Sequence, residues 1–490
     1  MRLLSTVVAV LSLALSACGG GGGSGGSGFE EGPADWGVPF VPASASRTMT
    51  LYLRNLESDA TTATVTVHAG DGSIVTGGPI ALDGDDQETF FVPTAAGGWV
   101  HVATPSRRVE VEFRVDDDGA VASEASRGWP LGDLAAPPPS TSARATILPE
   151  TDLVQVVNAS GAVTLVTATA WVPGASASSP WVAVPLAPIP LDAFAATTLS
   201  PAALTGTPGF FGAVELTAPT PLFVATEEGP LAFDGVPHVV ARDRDGMVVV
   251  EHGPVTSSPA SWTDFAVLLR NDADDARTVV LADVRAADGT QILLAPRTIE
   301  LVARETLTLG TMDAPFDDLF GDVLSALSLT RATLRLQVPE DVEVSLRQFD
   351  PVSLVHVATL RPAPAAHVAD ALHVDPQPTL PSLVRTWVHV VNPGSSTITV
   401  ALSAVVPQPD GFDAAVTPIV SLEIPAHQTA RWSPDGLSFV DRDLASVPVI
   451  GVRLTSPAPF HVSGWGEETT SLGVRLLLRP VIVRSHDDAD

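Results

Sequence analysis

The residue that most constrains this chain is asparagine, because 490 residues contain only four: Asn55, Asn158, Asn271 and Asn392. Each closes a short apolar run. The runs are Leu51-Tyr52-Leu53-Arg54, Leu153-Val154-Gln155-Val156-Val157, Val267-Leu268-Leu269-Arg270 and Val388-His389-Val390-Val391. Successive asparagines lie 103, 113 and 121 residues apart. A residue type that is otherwise absent, and that returns at domain-sized intervals in one local setting, marks internal duplication. Asparagine suits a strand exit, because it tolerates left-handed backbone and its side chain bonds the backbone two residues on. Four copies of one structural turn are therefore expected, not four catalytic amides.

Other landmarks keep step. A second apolar strand follows each asparagine, at Thr64–His68, Val163–Val172, Thr278–Arg285 and Thr397–Val406. Gly-containing turns come next in three repeats, at Asp71-Gly72, Asp288-Gly289 and Asp410-Gly411. Two apolar runs then flank a proline, as in Val100–Pro105 with Val109–Val115, and read as a hairpin. A closing strand is legible at His238–Arg242, His356–Arg361 and Val474–Pro480, with no obvious counterpart in the first repeat. Roughly seven short strands per ~110 residues, with period-two alternation, is the pattern of an antiparallel sandwich.

The expected fold class is thus all-β, with four tandem antiparallel β-sandwich domains over 29–133, 134–246, 247–365 and 366–484 and an acidic tail over 485–490. One large continuous β-fold such as a propeller is the alternative, although propeller blades repeat at about 40–50 residues. One segment departs from the β pattern. Phe316, Leu319, Phe320, Val323, Leu324 and Leu327 keep helical spacing behind Asp313 and Pro315, which predicts one short amphipathic helix, Asp313–Ser328, in the third domain. The repeats resemble immunoglobulin or fibronectin type III modules. Only the architecture is implied, because the Cys–Trp–Cys spacing of antibody domains is absent.

Charge narrows the partners. Asp and Glu number 56 against 26 basic residues, all Arg, for a net charge of −30. Such a surface repels phosphate backbones, so nucleic acid is not an expected partner. The single cysteine, Cys18, precludes internal disulfides, and the domains must hold by packing.

Cys18 ends a leader. Met1-Arg2 is a charged start, Leu3–Leu15 is apolar and too short to span a bilayer, and Leu15-Ser16-Ala17-Cys18 closes it. This resembles the lipobox of bacterial lipoproteins. The resemblance implies removal of residues 1–17 and acylation of Cys18, and multiple acyl chains give stable anchoring. Gly19 after the Cys implies the outer membrane. Residues 18–28 then form the lipidated Cys and a Gly/Ser tether, flexible by composition. The Gly-x-Ser-x-Gly match inside it, at Gly22–Gly26, has no strand before it and no helix after it, so it is not a nucleophile elbow.

No His-Glu-x-x-His, paired-Cys or phosphate-loop motif occurs in the sequence, and neither a cofactor nor enzymatic activity is expected. Two acidic turns share the pattern Asp-x-Asp-Gly-x-x-x-x-Glu, namely Asp116, Asp118, Glu124 and Asp243, Asp245, Glu251. Both lack the first carboxylate of an EF-hand loop and are one residue short, so plain hairpins are expected and calcium is the alternative. Trp99, Trp171, Trp387 and Trp465 read as core, whereas Trp36, Trp129, Trp181 and Trp432 are candidates for stacking a sugar. The expected function is a cell-envelope-anchored, non-enzymatic structural or adhesive lipoprotein. It would present a rod of domains to an unknown protein or glycan ligand. A glycan-binding surface lipoprotein is the alternative, and a secreted hydrolase the second.

Overall fold

The computed structural model describes residues 34–484 except 44–45, 106–108, 118–121, 128, 133–141, 150, 229–231, 235, 238–243, 252, 255–261, 311–330 apart from 313, 316 and 319, 350–355, 361, 364, 375–382, 407–414, 433–449, 471–472 and 480. It is nearly all β, built from antiparallel sheets that recur along the chain.

The first repeat holds β1 (Ala34–Val38), β2 (Arg47–Asn55), β3 (Thr61–His68), β4 (Ile74–Leu82), β5 (Gln87–Val92), β6 (Trp99–Thr104), β7 (Val109–Asp117), β8 (Ala122–Arg127) and β9 (Trp129–Gly132). They form one sheet in the order β4-β3-β6-β1-β9 and a second in the order β5-β2-β7-β8. Alternation puts Leu51 and Leu53 of β2, Val100 and Val102 of β6 and Val111 and Phe113 of β7 into one buried cluster.

The same spatial order returns three times. The second repeat pairs Val182–Pro185, Thr164–Val172, Gly212–Thr217, Ser142–Ile147 and Val236–Pro237 in one sheet. Its other sheet pairs Ala196–Leu199, Thr151–Asn158, Leu222–Glu228 and Ala232–Asp234. The third has Arg297–Leu301, Arg277–Ala286, Arg331–Val338 and Arg244–Glu251, then Thr306–Gly310, Trp262–Asn271, Val342–Phe349 and His356–Leu360. In the fourth, Ile450–Thr470 is one strand of 21 residues that serves both sheets. It pairs with Ile398–Val406 and Ala366–Val374 through its first half and with Leu383–Val391 and Gly473–Arg479 through its second.

Three expectations change. The runs flanking proline, expected as hairpins, are β6 and β7 and their counterparts, and the two members lie in different sheets. Proline breaks the ladder at that point and lets the chain cross the sandwich. The first repeat does have a closing strand, β8, whose sequence Ala-Ser-Glu-Ala-Ser-Arg carries too little apolar signal to be read in advance. The strand Arg244–Glu251 runs across the expected boundary at 246. The only helix among the described residues is α1 (Pro201–Thr205), in the second repeat and capped by Ser200. Of the helix expected over Asp313–Ser328, only Asp313, Phe316 and Leu319 are described; Phe316 and Leu319 are buried, and the rest lies outside the described residues.

The rod is also corrected, because the repeats close on themselves. The outer face of each repeat's first sheet receives the outer face of the next repeat's second sheet. Phe223 of the second repeat packs on Gly37 of the first, where an added Cβ has no room. Arg270 Nη1 of the third donates to Thr146 Oγ1 of the second at 2.9 Å. Val391 of the fourth clusters with Met247 and Val249 of the third. Between the two ends of the chain, Arg453 Nη2 of the fourth donates to Asp85 Oδ1 of the first at 2.6 Å, 368 residues apart. There, too, a Cβ on Gly451 would collide with the Arg54 guanidinium. The strands equivalent to β8 also touch in sequence: Ala232–Asp234 meets His356–Leu360, which meets Gly473–Arg479, which meets β8. Head-to-tail contacts of one kind form a ring when the rotation per unit closes, and here four units close it.

The fourth-to-first contact is the one junction with no covalent link. Asp85→Arg should open it and raise the radius of gyration in small-angle scattering. Adding Arg453→Asp should restore the compact value, and a single variant that leaves the radius unchanged would refute the closure.

Candidate functional site

The conserved geometry of the four asparagines leads directly to the junctions between repeats. In every repeat the asparagine amide donates to the carbonyl four residues ahead, at 2.7 Å for Asp59, 2.7 Å for Ala162, 2.8 Å for Asp275 and 2.7 Å for Ser396. It donates again to a distant turn, at 3.0 Å for Asp83, 2.8 Å for Asp192, 2.8 Å for Val302 and 2.9 Å for Ile424. Its Oδ1 accepts from the backbone two residues on, at Glu57, Ser160, Ala273 and Gly394. The side chain thus staples the strand exit to the turn that starts the fifth strand.

That second turn holds a non-glycine residue in left-handed backbone in each repeat: Asp85 at φ 56°, Phe194 at 56°, Arg304 at 63° and His427 at 60°. Such a conformation costs of order 1 kcal/mol and persists where surroundings impose it. Each of these residues plugs into the repeat before its own. Phe194 stacks on His68 at 5.0 Å, while its carbonyl accepts from Trp99 Nε1 at 2.8 Å. Arg304 lies 4.8 Å over the ring of Trp171. His427 lines a cleft of the third repeat, and Asp85 pairs with Arg453. Backbone bonds accompany the plugs: Ala196 N to Gly70 O at 2.9 Å, Trp181 N to Ala303 O at 3.0 Å and Thr429 N to Ala287 O at 2.9 Å.

The junctions carry buried charge. Arg144 of the second repeat bridges Glu215 of its own sheet and Asp272 of the third repeat, each at 3.2 Å. Burial alone would raise the Asp272 carboxyl, but Arg270 and Arg144 outweigh it and hold the group below the ordinary range. Arg47 of the first repeat pairs with Glu227 of the second at 2.8 Å. Burial pulls Arg347 down to about 10. These groups make a polar seam sealed between sheets, suited to fixing one arrangement of repeats.

The residues singled out in the sequence fall elsewhere. Cys18 lies outside the described residues. Asp116 and Glu124 sit in the β7–β8 pair, where Asp116 opposes Ser123 and Glu124 opposes Val115. Asp118 and Asp243 lie outside the described residues. Asp245 and Glu251 stand in one extended strand and are not brought together, and Asp245 is held by Arg335 Nε at 2.9 Å. No group of three His, Cys, Asp or Glu placed to hold a metal ion occurs among the described residues. Trp36 and Trp181, candidates for sugar stacking, are buried, and Trp432 is partly buried against the fourth core. Trp99 is fully buried as expected, and Trp171 is half-buried under Arg304. The plug residues gave no sequence signal, since a left-handed Phe or Arg looks like any loop residue.

No protein-family model matches this sequence, and no curated protein matches it. Among solved structures, a GH78 family rhamnosidase of Bacillus sp. GL1 aligns at 10% identity and a TM-score of 0.14, over 95% of this chain and 54% of that one. The chain therefore spans about half the length of that enzyme, and so low a score carries no argument about fold or activity.

His68, pressed between Trp99 and Phe194 at 5.0 Å from each, gives this joint a pH dependence. Burial lowers its pKa below the ordinary histidine value, the bond to the Gly72 carbonyl opposes this, and His101 adds to it. The unfolded chain then takes up the proton first as pH falls, so stability is full above about 6.5 and declines below it to the folded pKa. Thermal melts of His68→Phe should lose that part of the acid slope; an unchanged slope would show that His68 does not contribute.

Proposed function

We propose that this chain is an exported, lipid-anchored, non-enzymatic structural or adhesive protein of the bacterial cell envelope. In this reading residues 1–17 are a signal peptide, Cys18 carries the lipid, and residues up to 28 are a tether. Four immunoglobulin-like sandwiches follow, with boundaries near 133, 243 and 365. The proposal keeps the outer membrane as the site of anchoring.

The observation that carries the reading is the use made of polar side chains in the repeats. The four asparagines spend every side-chain bond on turn geometry, and the junction charges Arg144, Asp272, Arg47 and Glu227 spend theirs on neighbouring repeats. Residues committed in this way build a scaffold, and a scaffold on a Gly/Ser tether presents its rim and loops. Stacking of a glycan on tryptophan has less support, because Trp36 and Trp181 are inside.

Four equivalent knots also set a stability expectation. Asn158→Ala would remove the partner of two part-buried carbonyls and a part-buried backbone N–H, at a cost of about 1–2 kcal/mol. The same substitution at Asn271 or Asn392 should cost a similar amount in chemical denaturation. A negligible effect at two of the three sites would remove the structural role on which the scaffold reading stands.

Anchoring is tested at the other end of the chain. Cys18→Ser should appear in the soluble fraction of fractionated cells, whereas the unaltered chain sediments with membranes. Continued sedimentation of the variant would overturn the lipid anchor.

A further inference from the structure

The imidazole of His68 lies inside the joint between the first and second repeats, with an aromatic ring from each repeat stacked on it. Trp99 of the first and Phe194 of the second both have centroids 5.0 Å from it and planes tilted by 16°. We propose that this joint is an acid-operated latch, in which uptake of a second ring proton by His68 releases the Phe194 plug and frees the first repeat from the second.

Strand register places the ring there. His68 ends β3 opposite Trp99 of β6, and the alternation that sends Val65 and Val67 into the core turns His68 outward, toward the second repeat. The joint leaves it only 3% exposed. Its Nδ1 donates to the Gly72 carbonyl at 3.2 Å, so the further proton enters at Nε2. The plug is held over the ring by few bonds. The Phe194 carbonyl accepts from Trp99 Nε1 at 2.8 Å, and Ala196 N donates to the Gly70 carbonyl at 2.9 Å.

The charged groups around the joint do not supply a counter-ion for His68. On β6, His101 lies 5.8 Å from the Trp99 ring, and its Nε2 is bonded to Asp35 of β1 at 2.6 Å. That carboxylate is therefore committed to the other histidine. Asp71 and Asp192, in the turns that meet here, are exposed, and Asp71 Oδ1 accepts from Ser73 N. Arg47 and Glu227 pair with each other at 2.8 Å. The other neighbours carry no charge: Ile74 of β4 stands opposite His68, and the second repeat brings Phe194, Phe223 and Gln155. A proton on His68 thus adds a buried charge beside a second histidine.

Once the plug leaves, the ring meets water and regains ordinary basicity, so the open joint binds the proton better than the closed one. Burial is the largest influence on the closed ring and lowers its pKa, which agrees with this order. The latch is then at full strength above about pH 6.5, and its opening constant rises by up to about ten-fold for each pH unit below that, until the closed ring titrates too. Opening uncovers Trp99 and Phe223, whose rings meet edge to face at 5.5 Å across the joint. The second–third joint provides the comparison, because its plug is Arg304 over Trp171, a cation at every pH in question. The inference stands on the geometry of the joint, whether or not the chain is lipid-anchored.

Hydrogen exchange of the full chain, read by mass spectrometry and corrected for the intrinsic pH dependence of exchange, tests the latch. The segments to compare contain Ala196, whose amide bonds across the first–second joint, and Trp181, whose amide bonds across the second–third. Between about pH 7.5 and about pH 5.0, protection at Ala196 should fall by about ten-fold or more while protection at Trp181 holds. His68→Phe should keep the Ala196 segment protected at both values. Equal loss in the two segments, no loss at Ala196, or loss that persists in a folded His68→Phe chain would each overturn the proposal. So would tighter closure in acid, the result expected if stacking of the cation on Trp99 outweighed its burial. If His68→Phe does not fold, the comparison of the two joints in the unaltered chain decides alone.

Discussion

The three-bond staple made by each asparagine side chain is the constraint on which the rest of the molecule depends. A carboxamide can donate twice and accept once or more in fixed directions, and here all of those directions are used within one strand exit. The amide reaches across to the turn before the fifth strand and holds its carbonyl, as Asn158 holds Asp192. With that turn tied at one side, its next residues have little freedom, and a side chain such as Phe194 is carried into left-handed backbone. The strain at the plug and the bonds of the staple are therefore two parts of one local structure.

From that local structure follows the joining of repeats. The stapled turn projects its plug onto the first sheet of the preceding repeat, and the chemistry of the plug varies while its position does not. Phe194 uses ring stacking, Arg304 a cation over an indole, Asp85 an ion pair, and His427 a cleft wall. Varied chemistry at one geometric place distinguishes the four junctions and discourages mispairing of repeats, since a charged plug cannot replace an aromatic one in a buried socket. At His427 the junction between repeats leaves a cleft.

Much of the fold was legible because its signals are local. Of the four strands after the asparagines, three were expected to end at His68, Val172 and Val406 and do so, and the other ends at Ala286, one residue beyond the expected Arg285. Asp71-Gly72 and Asp288-Gly289 were read as turns, and both glycines take left-handed backbone, at φ 84° and 85°. The closing strand β8 was missed because it lacks an apolar period, and the proline-flanked runs were misread because sequence does not say which sheet a strand joins. The cleft was hidden for a related reason. Asp283 and Arg335 are 52 positions apart, and only a one-residue bulge makes them face each other.

By itself, then, the sequence determined an all-β chain of repeats punctuated by one asparagine per repeat, because alternation and turn chemistry act within a few residues. It determined as well a strongly acidic surface and a core stable without disulfides, since both follow from residue counts. Tertiary structure alone decided that the repeats curl back until Asp85 meets Arg453, in place of extending as a rod. The angle between neighbouring repeats is the sum of many contacts between outer sheet faces, such as Phe223 on Gly37. No residue pattern within a single repeat encodes that angle, and whether four such angles close a circle depends on all of them together.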